Sequence, residues 1–151
     1  MTKKLTNADI AVIYNTLNAL KGRDDIVIGD MDIFWAIRYN LNVFKEKATF
    51  IQETINEKVQ SYFTDENTEI VDEQKVIKEE LREEISAKIN ADVQELNSKA
   101  MDVEYVSIKL DSLKAMAKAN ESKLTMLEMT VLEQFVDDEA EMKALEEKAE
   151  A

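Results

Sequence analysis

Histidine, cysteine and proline are absent from this 151-residue chain, and glycine occurs only at Gly22 and Gly29. Without cysteine there is no disulfide framework and no thiolate metal site, and the absence fits a reducing compartment. Without histidine or cysteine, a Ser/His/Asp triad and a Cys/His pair cannot be built, and general acid–base and nucleophilic catalysis lose their commonest side chains. Two glycines cannot form a glycine-rich phosphate loop, so no nucleotide or other cofactor is expected. Nor can so few breakers supply the many tight turns of a β-sandwich; they suit long helices. No stretch approaches the roughly 18 uninterrupted apolar residues of a membrane span. The opening Met1-Thr2-Lys3-Lys4 lacks the apolar run of a secretory signal. These absences point to a soluble, cytosolic protein that is not an enzyme and that works by binding.

What remains is apolar enough, at 45%, to build one core of ordinary size. The net charge of −13 is unevenly spread. Residues 1–50 carry seven basic and six acidic side chains, residues 62–84 nine acidic against three basic, and residues 137–151 seven acidic against two basic. Such a balance argues against direct contact with nucleic acid or an acidic membrane, where phosphates must be neutralised. It permits a basic protein partner. The plainer reading is that acid on helix surfaces keeps the protein in solution.

Periodicity organises the chain into helices. Thr6 is a candidate N-cap with Asp9 three residues on, and Leu5 with Ile10 forms a hydrophobic staple. Ile10, Ile13, Leu17 and Leu20 then mark one face, and Gly22 stands at the usual C′ position. Ile26-Val27-Ile28 reads as a short strand or extended connector. Asp30 caps a second helix whose stripe (Ile33, Ile37, Leu41, Phe44, Ala48, Ile51, Ile55, Val59, Tyr62) would run about 45 Å at 1.5 Å per residue. Residues 64–71 read as a polar loop with a short extended piece at 69–71. Asp72 then caps a third helix with the stripe Ile77, Leu81, Ile85, Ile89, Val93, Leu96, Ala100, which would lie antiparallel to the second.

In residues 103–110 the period changes to alternation, making this the best strand in the chain. Its candidate partner is 26–28, since a lone strand is unstable. Asp111 or Ser112 would cap a short helix carrying Leu113, Met116 and Ala117. A last helix, from about 121 to 136, would bury Leu124, Leu127, Val131, Leu132 and Phe135. The reading is therefore mainly α: a long antiparallel helical hairpin plus shorter helices, with a small two-stranded β element. Residues 1–136 form a single helical domain and 137–151 an acidic tail, helical or frayed.

Carboxylates are the only potential ligands in quantity. Glu79 with Glu83, and Glu80 with Glu84, stand four apart on the third helix. A solvated acidic face is favoured over a loose hard-cation site, with Lys75 and Lys78 near enough for surface ion pairs. Trp35 and Tyr39, with Arg38 between them, lie beside the second helix's apolar stripe. Large aromatics there mark an interface, although coverage by the first helix or the strand is the simpler reading. Met116, Met126 and Met129 are read as core gap-fillers rather than an adaptable binding surface.

Two blocks, Lys4-Leu5-Thr6-Asn7 with Ile13-Tyr14-Asn15-Thr16-Leu17-Asn18-Ala19-Leu20, and Phe34-Trp35-Ala36-Ile37-Arg38-Tyr39-Asn40-Leu41, resemble a family of small uncharacterised proteins of tailed phages and prophages of Gram-positive bacteria. The extended piece at 103–110 followed by Asp111-Ser112-Leu113 resembles that family's C-terminal part. The resemblance covers about two-thirds of the chain, the acidic tail after Phe135 departs from it, and it carries no site residues over. It implies a phage origin, with action in the host bacterial cytoplasm or in the virion. Two roles compete. One is a virion structural or assembly accessory protein using residues 5–50. The other is an acidic anti-defence inhibitor that binds a nucleic-acid-handling host protein by mimicking nucleic acid. Long helical hairpins also favour a homo-oligomer.

Overall fold

The computed structural model describes residues 1–136; the expected acidic tail, 137–151, lies outside the described residues. The chain runs through β1 (Thr2–Thr6), α1 (Asn7–Lys21), α2 (Met31–Gln60), β2 (Thr68–Val71), β3 (Gln74–Ile77), a 3₁₀ turn (Glu79–Leu81), α3 (Arg82–Ser98), β4 (Ala100–Glu104), α4 (Leu110–Ala119) and α5 (Met126–Glu133). It is mainly α with two small antiparallel β elements. Among the described residues, no helix is long and apolar enough to cross a membrane.

Local chemistry explains where α1 and α2 begin. The Thr6 hydroxyl accepts the Asp9 N–H at 3.1 Å and the Asp30 carboxylate accepts that of Asp32 at 2.9 Å, each satisfying a donor that the first turn leaves free. The staple pair Leu5 and Ile10 is buried. Gly22 ends α1, but with right-handed φ and ψ of −81° and −1° rather than the left-handed conformation that favours glycine at C′. The α2 stripe is buried at Ile33, Ile37, Leu41, Phe44 and Ile51. It shares one core with α1, the 105–108 segment and α5, where Val131 and Leu132, with Phe135 just beyond the end of α5, complete the packing. The Phe135 ring meets Phe44 edge-on at 5.7 Å between centroids, a favoured aromatic geometry.

Several expectations are corrected. The strand at 103–110 forms only in part, as β4, and its partner is not 26–28. β4 pairs antiparallel with β1, Lys3 opposite Val103 and Leu5 opposite Met101. Residues 26–28 are held instead by a side chain: Asn120 accepts the Val27 N–H at 2.7 Å and donates to the Val27 carbonyl at 2.6 Å. With both backbone groups satisfied, Val27 needs no strand beside it. Asn40 does the same for Val106, accepting its N–H and donating to its carbonyl, each at 2.8 Å. Ile108 forms an isolated parallel bridge to Val136.

The polar loop and the start of the third helix fold together as a hairpin. β2 and β3 pair from Thr68 opposite Ile77 to Val71 opposite Gln74, and Asp72 and Glu73 at its tip adopt φ of 51° and 65°. Asp72 is thus a turn residue, not a helix cap, and Ile77 lies in a strand. The third helix begins ten residues later, at Arg82. It still faces the second helix in the expected antiparallel sense: Tyr62 reaches Asp92 and Ile55 shares a cleft with Leu96. α4 begins at Leu110, so neither Asp111 nor Ser112 caps it; the N-cap is Lys109, whose side chain has no acceptor to offer, and the Ser112 hydroxyl donates to Asp30 at 2.8 Å. α5 starts at Met126 rather than near 121 because Thr125 and Glu128 form a full capping box. The register leaves Leu127 exposed while Val131, Leu132 and Phe135 are buried.

Candidate docking surface

An α-helix turns about 100° per residue, so the residues that bury one face decide what the other presents. Ile33, Ala36, Ile37, Asn40 and Leu41 are buried on α2. Trp35, Arg38 and Tyr39 therefore project outward. Trp35 is 59% exposed and Tyr39 43%, and their rings lie 6.2 Å apart between centroids with a 37° tilt. Phe34, Met31 and Val27 are exposed nearby in the chain. Neither the first helix nor the strand covers this pair, contrary to the simpler reading of the sequence. α1 is spent on the Ile37 and Leu41 flank, and Asn40 pins the 105–108 segment on the core side. Trp35 borders a hollow of about 300 Å³ with Asp32, Val106, Lys109 and Ser112. Exposed aromatics beside a concavity are the composition of an interface core, where they bury large area at low entropy cost.

Arg38 faces a different space. It lines a cavity of about 240 Å³ between the end of α1, the 22–30 connector and the first half of α2, together with Lys21, Arg23 and Phe34 over a floor of Leu20, Ile26, Ile28, Ile37 and Leu41. Arg23 is committed to structure. It donates to Asp25, to Glu128 at 2.5 Å and to the Lys123 carbonyl at 2.7 Å, which ties the connector to the capping box of α5. Its guanidinium is held above its ordinary range, first by the Asp25 hydrogen bond and then by the charges of Glu128 and Asp25. The same contact lowers the Asp25 carboxyl.

The four acidic candidates do not share one continuous α-helix. Glu79 and Glu80 belong to the 3₁₀ turn, and Glu83 and Glu84 to the first turn of α3. All four are exposed. Glu84 pairs with Lys88 at 3.2 Å, and Lys75 pairs with Asp65 at 3.4 Å rather than with these glutamates. Acid in a first turn complements the helix dipole, so the placement of Glu83 and Glu84 has a structural reason of its own. Among the described residues, no group of three carboxylates is placed to hold a metal ion. Of the methionines, Met116 is buried, Met129 half-buried, and Met126 fully outside at 88% exposure, so core filling accounts for two of the three.

A third feature escaped the sequence reading. The C-terminal half of α2 and α3 enclose an apolar cleft of about 210 Å³ between Ile55, Val59, Ile89, Val93 and Leu96. Tyr62 closes one end by donating to Asp92, with Lys58 3.9 Å from the same carboxylate and 5.6 Å from the centre of the Tyr62 ring. The clamping asparagines escaped it too, although Asn40 left a trace: it is a polar residue three after Ile37 and four before Phe44, on the apolar stripe. Comparison with models of protein families, with curated proteins and with solved structures finds no match to this chain.

Proposed function

We propose that this protein is a non-enzymatic binding protein that docks on another protein through Trp35, Tyr39 and Arg38, as a structural or assembly accessory component of a phage particle. The observation that carries the docking role is the exposed Trp35–Tyr39 ring pair on the first half of α2, whose opposite face is buried at Ile33, Ala36, Ile37, Asn40 and Leu41. The helix is rigid, so the aromatics are presented with little entropy left to lose on binding. The phage setting rests on the sequence resemblance. The partner is a protein rather than nucleic acid or membrane, given a net charge of −13. The site of action is the virion or the host bacterial cytoplasm.

The test is affinity purification of a tagged copy from bacteria carrying the phage, with the wild type and Trp35→Ala side by side. Capsid, portal or tail proteins in stoichiometric amount with the wild type, lost with Trp35→Ala, support the reading. Absence from virions and from assembly intermediates overturns it. A second reading, an acidic inhibitor of a nucleic-acid-handling host protein, draws on the exposure of Glu79, Glu80, Glu83 and Glu84 close together in the chain. It requires salt-sensitive binding that weakens when these four become glutamine.

A further inference from the structure

We infer that the cavity between α1, the 22–30 connector and α2 is a binding site for a small amphiphilic anion, an apolar body of medium-chain length bearing one carboxylate or similar head. This site adjoins the Trp35–Tyr39 surface and shares Arg38 with it, but its argument does not depend on how the two aromatics are used.

Charge is the first argument. The protein carries −13, yet the cavity wall contains Lys21, Arg23 and Arg38 and, among the described residues, no acid. Three cations around one apolar space repel each other, and an anion placed among them relieves that repulsion. Arg23 is already neutralised by Asp25 and Glu128. Lys21 and Arg38 have no ion-pair partner among the described residues, so two charges at this mouth remain available.

Shape and surface supply the second. The floor is formed by Leu20, Ile37 and Leu41, all buried. Apolar walls with a few convergent polar groups are the usual make-up of a small-ligand site. At about 240 Å³ the cavity falls just below the common range of roughly 300–1,000 Å³, which selects a short body. An apolar tail would lie on the floor while its head meets the Arg38 fork and the Lys21 ammonium, both stronger donors to an anion than to a neutral acceptor. A neutral amphiphile would forgo the charge-assisted contacts, and a cationic one would be repelled.

Decanoate, decanol and decyltrimethylammonium serve as probes, titrated into the full-length protein by isothermal calorimetry and by NMR of the Ile and Leu methyl groups. Saturable decanoate binding is expected, with shifts confined to Leu20, Ile26, Ile28, Ile37 and Leu41, and with decanol and decyltrimethylammonium at least about tenfold weaker. The double variant Lys21→Glu/Arg38→Glu should lower decanoate affinity by about tenfold or more. Neither side chain holds an ion pair among the described residues, and an unchanged circular dichroism spectrum checks that the variant is folded. Ile28→Trp, which fills the cavity and leaves both cations in place, should also block binding. Absence of saturable decanoate binding overturns the inference. So does equal binding of decanol, or binding that survives the charge reversal. Loss of partner capture by Trp35→Ala with decanoate binding intact would separate the two surfaces.

Discussion

The two halves of α2 carry the same apolar spacing and meet different fates. Ile33, Ile37, Leu41 and Phe44 are buried in a core supplied by α1, the 105–108 segment, α4 and α5. Ile55, Val59 and Tyr62 are only half-buried, facing α3 across an open cleft. Between Gln52 and Asp102 the buried side chains are Thr68 and Ile85 alone. Periodicity states which face of a helix wants cover; the number of elements that arrive to cover it sets the stability of that face. The molecule therefore has a dense end, which holds the exposed Trp35 and Tyr39 and the cavity beside Arg38, and a thin arm made of the α2–α3 hairpin and the β2–β3 tip.

The sharpest way to break this contrast is at the dense end. Phe44→Ala should cost about 3–5 kcal/mol, read as a drop in the denaturant midpoint, because a fully buried ring in edge contact with Phe135 is removed. Asn40→Ala should cost about 2–3 kcal/mol, since it strands the N–H and carbonyl of Val106. If it behaved like a surface change, the clamp would not be structural. Ile85→Ala in the arm should cost about 2 kcal/mol or less. Hydrogen exchange should then report opening of α3 and the β2–β3 tip while α1 stays protected. Global unfolding at the same rate throughout would show that the arm is not separable.

A smaller effect of opposite sign is expected at the hairpin tip. Replacing Asp72-Glu73 with Asn-Gly should stabilise the arm by about 1 kcal/mol, because both positions have positive φ, which aspartate tolerates but glutamate does not favour. The smallest effect concerns pH. Hydrogen bonding to Asp92, then desolvation and the Asp92 charge, hold the Tyr62 phenol above its ordinary value of 10.0. A folded-state value raised in this way contributes stability that is fully present below pH 10 and is lost as pH rises through the folded value. The arm should therefore loosen in strong alkali, followed by exchange or by Tyr absorbance, and Tyr62→Phe should remove that step.

Much of this architecture was legible in the residues. Caps at Thr6 and Asp30, the staple of Leu5 and Ile10, and the stripes of α1 and α2 are local signals, readable because their partners lie within one or two helical turns. α3 begins at Arg82 rather than just after Asp72 because Val76 and Ile77 suit a strand as well as a helix, and no glycine marks the turn at Asp72 and Glu73. Trp35 and Tyr39 were identified, but their exposure was not, since it depends on which elements fail to reach them.

Composition and periodicity alone determined that the chain is mainly helical, that it has no histidine or cysteine, and which helix faces are apolar; these follow from side-chain type and the 3.6-residue repeat. The tertiary structure decided the rest. It joined β1 to β4 across about 100 residues of sequence and set Asn40 and Asn120 against the backbone of distant segments. Such pairings have no local signature, because each is selected by the packing of elements far apart in sequence rather than by the residues beside it.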